Sequence, residues 1–230
     1  MLKRIYLGLI TLIMSVLLPS VSWAISIPFI NEIHYDNIST DVDEAIEIAG
    51  SAGIDLSGWS IVLYNGNGGS SYNTRVLSGT IPDLQNGYGT LPFFYSINGI
   101  QNGSPDAIAL IDPSSMVIQF LSYEGIFTAV DGPASSIIST DIGVYEPSDT
   151  PVGYSLQLAG AGRKYSDFSW MSAMLNTFGA INTGQTFTSS QVIPEPVTIS
   201  LLGLGLLGLA FTRRKITARE KLGTHPIFDK

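Results

Sequence analysis

The chain contains no cysteine, which excludes disulfides, thiolate metal sites, thiol redox motifs and a cysteine nucleophile. Histidine is nearly absent. Of the two present, only His34 lies between Ile25 and Pro196, so a site needing two imidazoles, such as a zinc-protease motif, is excluded there. Positive charge is equally scarce in that stretch. Arg75, Arg163 and Lys164 stand against 17 acidic residues, a balance of −14 that the whole-chain value of −8 conceals, because the other Lys and Arg residues crowd the two ends. Such an acidic interior repels phosphate backbones, so no direct nucleic-acid binding is expected. It favours solubility and weak association with cations. No Gly-x-Ser-x-Gly elbow occurs, the signature of one large class of serine hydrolases. No interior segment carries a sustained helical period with caps.

The basic residues that are present sit at informative places. Lys3 and Arg4 precede an apolar run, Ile5 to Leu18, which ends at Pro19-Ser20 and is followed by the small residues Ser22 and Ala24 around Trp23. A basic start, a short apolar stretch and a small-x-small exit describe a secretory signal peptide over residues 1–24, cleaved after Ala24. The translocon and signal peptidase are the partners this implies. At the other end, Val192-Ile193-Pro194-Glu195-Pro196 is a rigid, non-helical stretch, because proline fixes φ and restricts its predecessor. An uncharged span, 197–211, follows and stops at Arg213-Arg214-Lys215, which the positive-inside rule holds on the cytoplasmic side. As a single transmembrane helix, 15 residues cover about 22 Å at about 1.5 Å each, short of the roughly 30 Å hydrocarbon core. The physical reading is a short, weak anchor in the inner membrane.

Pro194-Glu195-Pro196, the Leu-Gly-rich span Leu201 to Ala210 and the cluster Arg213-Arg214-Lys215 resemble, in that order, the PEP-CTERM sorting signal, placed here at 194–215. The resemblance implies that exosortase, a membrane transpeptidase-like enzyme of Gram-negative bacteria that make exopolysaccharide, recognises and processes the tail. It further implies transient anchoring in the inner membrane, then a place at the cell surface or outside. The extension 216–230 departs from such tails, which usually stop just after the basic cluster. Residues 189–193 read as a linker.

Between the ends lie about 170 residues, enough for one domain with its own core, placed at 25–188. Short runs rich in Ile, Val, Phe and Tyr alternate with Gly, Asn, Ser and Asp clusters, which argues for an all-β sandwich or barrel. Pro28 to Tyr35 is a first strand, with Phe29, Ile33 and Tyr35 on one face and Glu32 and His34 on the other. In Glu44 to Ala49, Ile46 and Ile48 oppose Glu47; in Trp59 to Tyr64, Trp59, Ile61 and Leu63 align. Asn65 to Gly69 is a turn or flexible loop. Ala107 to Ile111 and Met116 to Ser122 form a hairpin about Asp112-Pro113-Ser114-Ser115. Tyr154 to Leu158 and Phe168 to Trp170 are late strands, with Arg163-Lys164 in a solvated turn after Gly160-Ala161-Gly162.

Phe29 to Asn37, Asp41 to Ile48 and Asp55-Leu56-Ser57-Gly58-Trp59 together resemble the opening of a lamin-tail domain, and Asn176 to Asn182 resembles its small-Gly-x-x-Asn ending. The resemblance spans most of Phe29 to Gln185, with a looser, longer middle at Tyr72 to Gly103. It implies an immunoglobulin-like β-sandwich. Bacterial members of that family are exported; many sit beside extracellular nuclease or phosphatase domains and others stand alone.

The acidic group Glu32, Asp36, Asp41, Asp43 and Glu44, with Glu47 nearby, offers hard oxygen ligands for Ca²⁺, although its spacing does not follow the Asp-x-Asx-x-Asx-Gly loop. The competing reading is of carboxylates at strand edges facing water, with Glu32 and Glu47 accepting bonds from loop backbone. Glu32 and His34 are an acid–base pair or an ordinary polar pair on an exposed strand face. Trp59 reads as a core anchor. Tyr64, Tyr72, Tyr88, Phe93, Phe94 and Tyr95 read as packing residues, or else as the lining of a carbohydrate groove. No catalytic residue is assigned and no cofactor is expected beyond Ca²⁺. The sequence points to a non-enzymatic surface or matrix protein with a polysaccharide or protein partner in an exopolysaccharide or biofilm layer. Two alternatives stand beside it: an accessory binding module for a separately encoded nuclease or phosphatase, and a hydrolase with an unrecognised carboxylate site.

Overall fold

A computed structural model describes residues 27–189, 202–206 and 208. The signal peptide with its Ala24 cleavage site, most of the linker, most of the sorting tail and the extension 216–230 lie outside these residues. The chain divides into two units. One is Ala24–Ser190; of the other, comprising Met1–Trp23 and Gln191–Lys230, the described residues 202–206 and 208 are helical. Among the described residues no helix is long and apolar enough to cross a membrane, and the expected span 197–211 falls largely beyond them.

The folded unit is all-β. In chain order the strands are β1 Phe29–His34, β2 Ala45–Ser51, β3 Ser60–Asn65, β4 Ser70–Val76, β5 Tyr88–Phe94, β6 Asp106–Ile111, β7 Val117–Tyr123, β8 Thr140–Asp141, β9 Tyr154–Gly162, β10 Phe168–Leu175 and β11 Gln185–Phe187. They form two sheets. The first has the order β10-β9-β1-β2-β5, with β11 alongside β9; the second has the order β4-β3-β6-β7-β8. Ile30, Ile33, Ile46, Ile48 and Leu156 of the first sheet meet Ile61, Leu63, Ile108, Leu110 and Leu121 of the second in one buried cluster. The two sheets thus pack face to face as a sandwich, and Trp59 closes that cluster as expected of it.

Each outer face is partly covered too. The loop after β7 brings Phe127, Ala129 and Ala134 onto Val62, Tyr64 and Phe120 of the second sheet. Phe187 lies on Phe29, Tyr88, Leu158 and Phe168 of the first. All three clusters draw on residues between Phe29 and Phe187, so this stretch carries its own core.

The face assignment of β1 is corrected by a bulge. Ile30 pairs with Ile48 and Glu32 with Glu47, so Asn31 is an extra residue in the ladder. An inserted residue breaks strict alternation. Ile30, not Phe29, therefore shares the core face with Ile33 and Tyr35, and Phe29 belongs to the outer cluster. The hairpin at Asp112 forms as read: its carboxylate accepts the amides of Ser114 and Met116 at 2.9 and 2.8 Å. Leu56-Ser57-Gly58-Trp59 is a tight turn, closed by the Trp59 N–H on the Leu56 carbonyl at 3.0 Å, with Gly58 at φ +84°. That conformation is what glycine supplies at the third position of a type II turn. Gly160 to Gly162 close strand β9, all three pairing with β11 and Gly160 also with β10, and the turn expected at Arg163-Lys164 follows them. In that turn the Arg163 and Lys164 amides donate to Asp167 at 2.7 and 2.9 Å.

Candidate functional site

The polar residues of the first sheet do not face water. Glu32, His34 and Glu47 are each 0% exposed, which corrects the expectation of a solvated strand face. Glu32 and Glu47 are covered by the segment from Asn176 to Gln185. Glu32 accepts from Ser155 Oγ at 2.5 Å, Thr177 N at 2.8 Å and Thr177 Oγ1 at 2.9 Å. Glu47 accepts from Asn31 Nδ2 at 3.0 Å and from Gly179 N at 2.6 Å. Asn182 donates to the carbonyls of Asn31 and Leu158, both at 3.0 Å, and Gln185 Nε2 donates to Asn31 Oδ1 at 2.7 Å. Buried polar groups must find partners, and here three of the four stretches singled out in the sequence supply one another's. Burial raises the Glu32 carboxyl above its ordinary range. It pushes Glu47 up to about 8, with the neighbouring Glu32 charge adding to the effect.

A second buried hub lies around His34, off the end of β1. His34 Nδ1 is 2.9 Å from Glu146 Oε1, and its Nε2 is 3.1 Å from the Val42 carbonyl. Burial works to lower the imidazole pKa, but the Glu146 hydrogen bond and charge outweigh it and the net shift is upward. A protonated ring donates to both partners. Glu146 also accepts the amides of Tyr35 at 2.7 Å and Asp36 at 2.9 Å, while its own amide donates to Tyr35 Oη at 2.8 Å. The Tyr35 ring stacks on Tyr123 with centroids 3.9 Å apart. Glu146 was not singled out in the sequence. It lies 112 residues from His34, in a Tyr-Glu-Pro stretch with no periodicity to betray it.

Of the five carboxylates expected at a Ca²⁺ site, only part of the set is brought together. Asp36 and Asp41 adjoin: burial, then the Asp41 charge, raises Asp36 to about 6 against the pull of an Asn102 hydrogen bond. Asn102 Nδ2 also donates to Asp41 Oδ2 at 3.2 Å. Glu44 is committed elsewhere, accepting Gly99 N at 2.6 Å and Ile100 N at 2.8 Å. Asp43 occupies an exposed turn at φ +61°. Glu32 belongs to the network under Asn176–Gln185. Among the described residues no group of three or more acidic or imidazole side chains is arranged to hold a metal ion.

Beside Asn102 opens a groove of about 630 Å³, lined by Asn65, Asn67, Gln101, Asn102 and Asp106. Asp106 shapes it rather than reacting in it: its oxygens accept Gly66 N and Gly103 N, both at 2.9 Å. Gly66 is required at this point, since a Cβ there would run into the Pro105 carbonyl. The lining is amide-rich, and each free amide offers donors and an acceptor at once. The aromatic residues weighed as a sugar groove are dispersed instead. Tyr64, Tyr88 and Phe93 fall in three different apolar clusters.

Residues 192–215 match the PEP-CTERM protein-sorting motif. No curated protein and no solved structure matches this chain. The folded unit is therefore known by its geometry, and the tail by its motif: the chain is an exported protein that carries a PEP-CTERM sorting signal and is sorted by exosortase.

Proposed function

We propose that this is a non-enzymatic surface or matrix protein whose amide-lined groove holds a hydroxyl-rich extracellular polymer, such as the exopolysaccharide of a biofilm layer. The groove carries the reading. Four amide side chains, Asn65, Asn67, Gln101 and Asn102, line an opening of about 630 Å³, a chemistry that engages sugar hydroxyls without transforming them, with Asn65 Oδ1 and Asn102 Nδ2 held in place by bonds to Asn67 N and Asp41. The positions of the acid–base groups support a non-catalytic role. His34, Glu32, Glu47 and Glu146 are buried and engaged in the fold.

The reading includes a lamin-tail-like, immunoglobulin-like identity for the domain. The bonding of Asn31-Glu32, Glu47 and the Gly179-to-Asn182 ending into one network supports it, because it gives these motif residues a common structural task. It also includes transient residence in the inner membrane of a Gram-negative host before release to the surface. Purified Ile25–Ser190 should be retained on insoluble host exopolysaccharide, and retention should fall when Asn67 and Asn102 are both changed to alanine. Equal retention of both proteins, or turnover of nucleic acid, phosphate ester or glycan by the purified domain, defeats the reading. Intact mass of the surface-fraction protein tests the sorting step: a species ending near Pro194–Val197 is expected, and Glu195→Ala should leave the unprocessed chain in the membrane fraction.

A further inference from the structure

Four strands end the main paths of the two sheets: β10 and β5 in the first, beside which the three-residue β11 also pairs β9, and β4 and β8 in the second. A sheet edge presents unpaired N–H and C=O groups that invite another strand, and proteins blunt it with charge, proline, brevity or a cover. Three of these edges are blunted. β5 contains Pro92, and β8 has two residues. β4 carries Arg75, whose guanidinium donates to the Phe94 carbonyl and lies 5.6 and 5.1 Å from the Phe93 and Tyr95 rings, closing β4 onto β5.

β10 differs. Its eight residues, Phe-Ser-Trp-Met-Ser-Ala-Met-Leu, include no charge and no proline. Among the described residues β9 is its only strand partner, and the ladder is regular from Phe168 to Met171 before one extra residue interrupts it. Met171 and Leu175 are 42% and 68% exposed. Alongside runs a groove of about 590 Å³ lined by Val144, Tyr145, Pro147, Asp149, Pro151 and Ala173. A strand that is uncharged, free of proline and long, with Met171 and Leu175 open to solvent, has the combination that accepts an added strand.

We infer that β10 is a self-association edge, onto which a second copy of this chain adds its own β10 antiparallel, about a two-fold axis at Met171. Two observations favour a second copy over an unrelated strand. The stretch from Ile25 to Pro196 has a balance of −14, so most pairings of its surface set like charges against each other, whereas two copies of β10 meet without any. The sorting motif delivers every copy to the same place, which raises the local concentration and lets a weak isologous contact form. This inference does not depend on what the Asn65–Asp106 groove binds.

Sedimentation velocity on Ile25–Ser190, which holds all three apolar clusters, should show a dimer that strengthens with added salt, as the acidic surfaces are screened. Met171→Lys should weaken the dimer about tenfold or more by setting like charges at the new ladder, with its melting temperature nearly unchanged. The sign is diagnostic, because an added lysine lowers the overall repulsion between copies. The chain has no cysteine, so Met171→Cys introduces a single thiol at the two-fold and should give a disulfide-linked dimer on mild oxidation. Ser70→Cys on β4 should not. A monomer at all concentrations, a dimer indifferent to Met171→Lys, or equal crosslinking from Ser70→Cys overturns the inference. So does a dimer seen for Ile25–Ser190 but not for the chain carrying 191–230, since the chain's own end would then be the occupant.

Discussion

His34 and Glu146, 2.9 Å apart and both wholly buried, tie the end of the first strand to the loop ahead of β9. Because Glu146 also receives two backbone amides, removing it strands an imidazole and two N–H groups at once. Glu146→Ala should therefore destabilise the domain by about 3–5 kcal/mol, the cost of breaking a buried pair. Glu146→Gln should cost less, as its amide oxygen still accepts from Tyr35 and Asp36. Urea unfolding measures both. A loss under about 1 kcal/mol for the alanine variant, typical of a surface pair, would contradict the hub.

Stability should fall as pH rises through neutrality. Glu47 is raised from its ordinary 4.5 to about 8, so the fold favours the neutral carboxyl. Its contribution is complete below pH 4.5 and is lost progressively up to and beyond pH 8. Glu32 and His34 are also raised and act in the same direction. Melting temperatures measured from pH 4.5 to 9 should decline, and Glu47→Gln should flatten the curve. A wild-type curve that climbs over this range would show the sign to be wrong.

Asn182→Ala removes two donors and an acceptor from the layer over the first sheet. The expected cost is about 1–3 kcal/mol for each buried group left unpaired. Hydrogen exchange localises it: amides from Asn176 to Phe187 should exchange faster, while those of β3 and β6 keep their protection. Uniform acceleration across both sheets would mean that the segment is not a separable cover.

Arg75→Ala should cost about 1–3 kcal/mol, combining a charge-assisted bond with two ring contacts. Arg75→Lys should recover only part of it, because an ammonium lacks the planar fork. Thermal melts of the pair decide this; full recovery by lysine would reduce the latch to bare charge.

Replacing Asp36 should stabilise the domain at high pH, unlike the alanine changes at Glu146, Asn182 and Arg75. With Asp36 raised to about 6, Asp36→Asn should raise the melting temperature at pH 8, where the wild-type pair carries repelling charges, and do little at pH 5. A drop at pH 8 would assign Asp36 a favourable bond that outweighs the repulsion.

The strand pattern of β2, β3, β6 and β7 was legible because Ile46, Ile48, Ile61, Leu63, Ile108 and Leu110 alternate against one buried face. β4 was not, since Ser-Ser-Tyr-Asn-Thr-Arg-Val is an exposed edge whose side chains carry no apolar period. β5 hid behind Gly89 and Pro92. Asn31 defeated face counting, because a bulge is a backbone event that period-two reasoning does not register. The polar layer shows the sharper limit. Glu32, Glu47 and Asn182 were each picked out, but alternation marks a polar residue as outward, and nothing local tells that Asn176–Gln185 returns to cover it.

That covering segment also has a mechanical meaning. If the sorted protein is held by its C-terminal end, drag from flowing medium acts where β11 ends, at Phe187. The first resistance is three rungs between β11 and Gly160–Gly162. Behind them stand the bonds of Gln185, Asn182, Gly179 and Thr177 to the sheet. Tension applied there would run through the peptide amides of Thr177 and Gly179 into Glu32 and Glu47, so the load on the chain's exit would be passed to the centre of the first sheet and not to its rim.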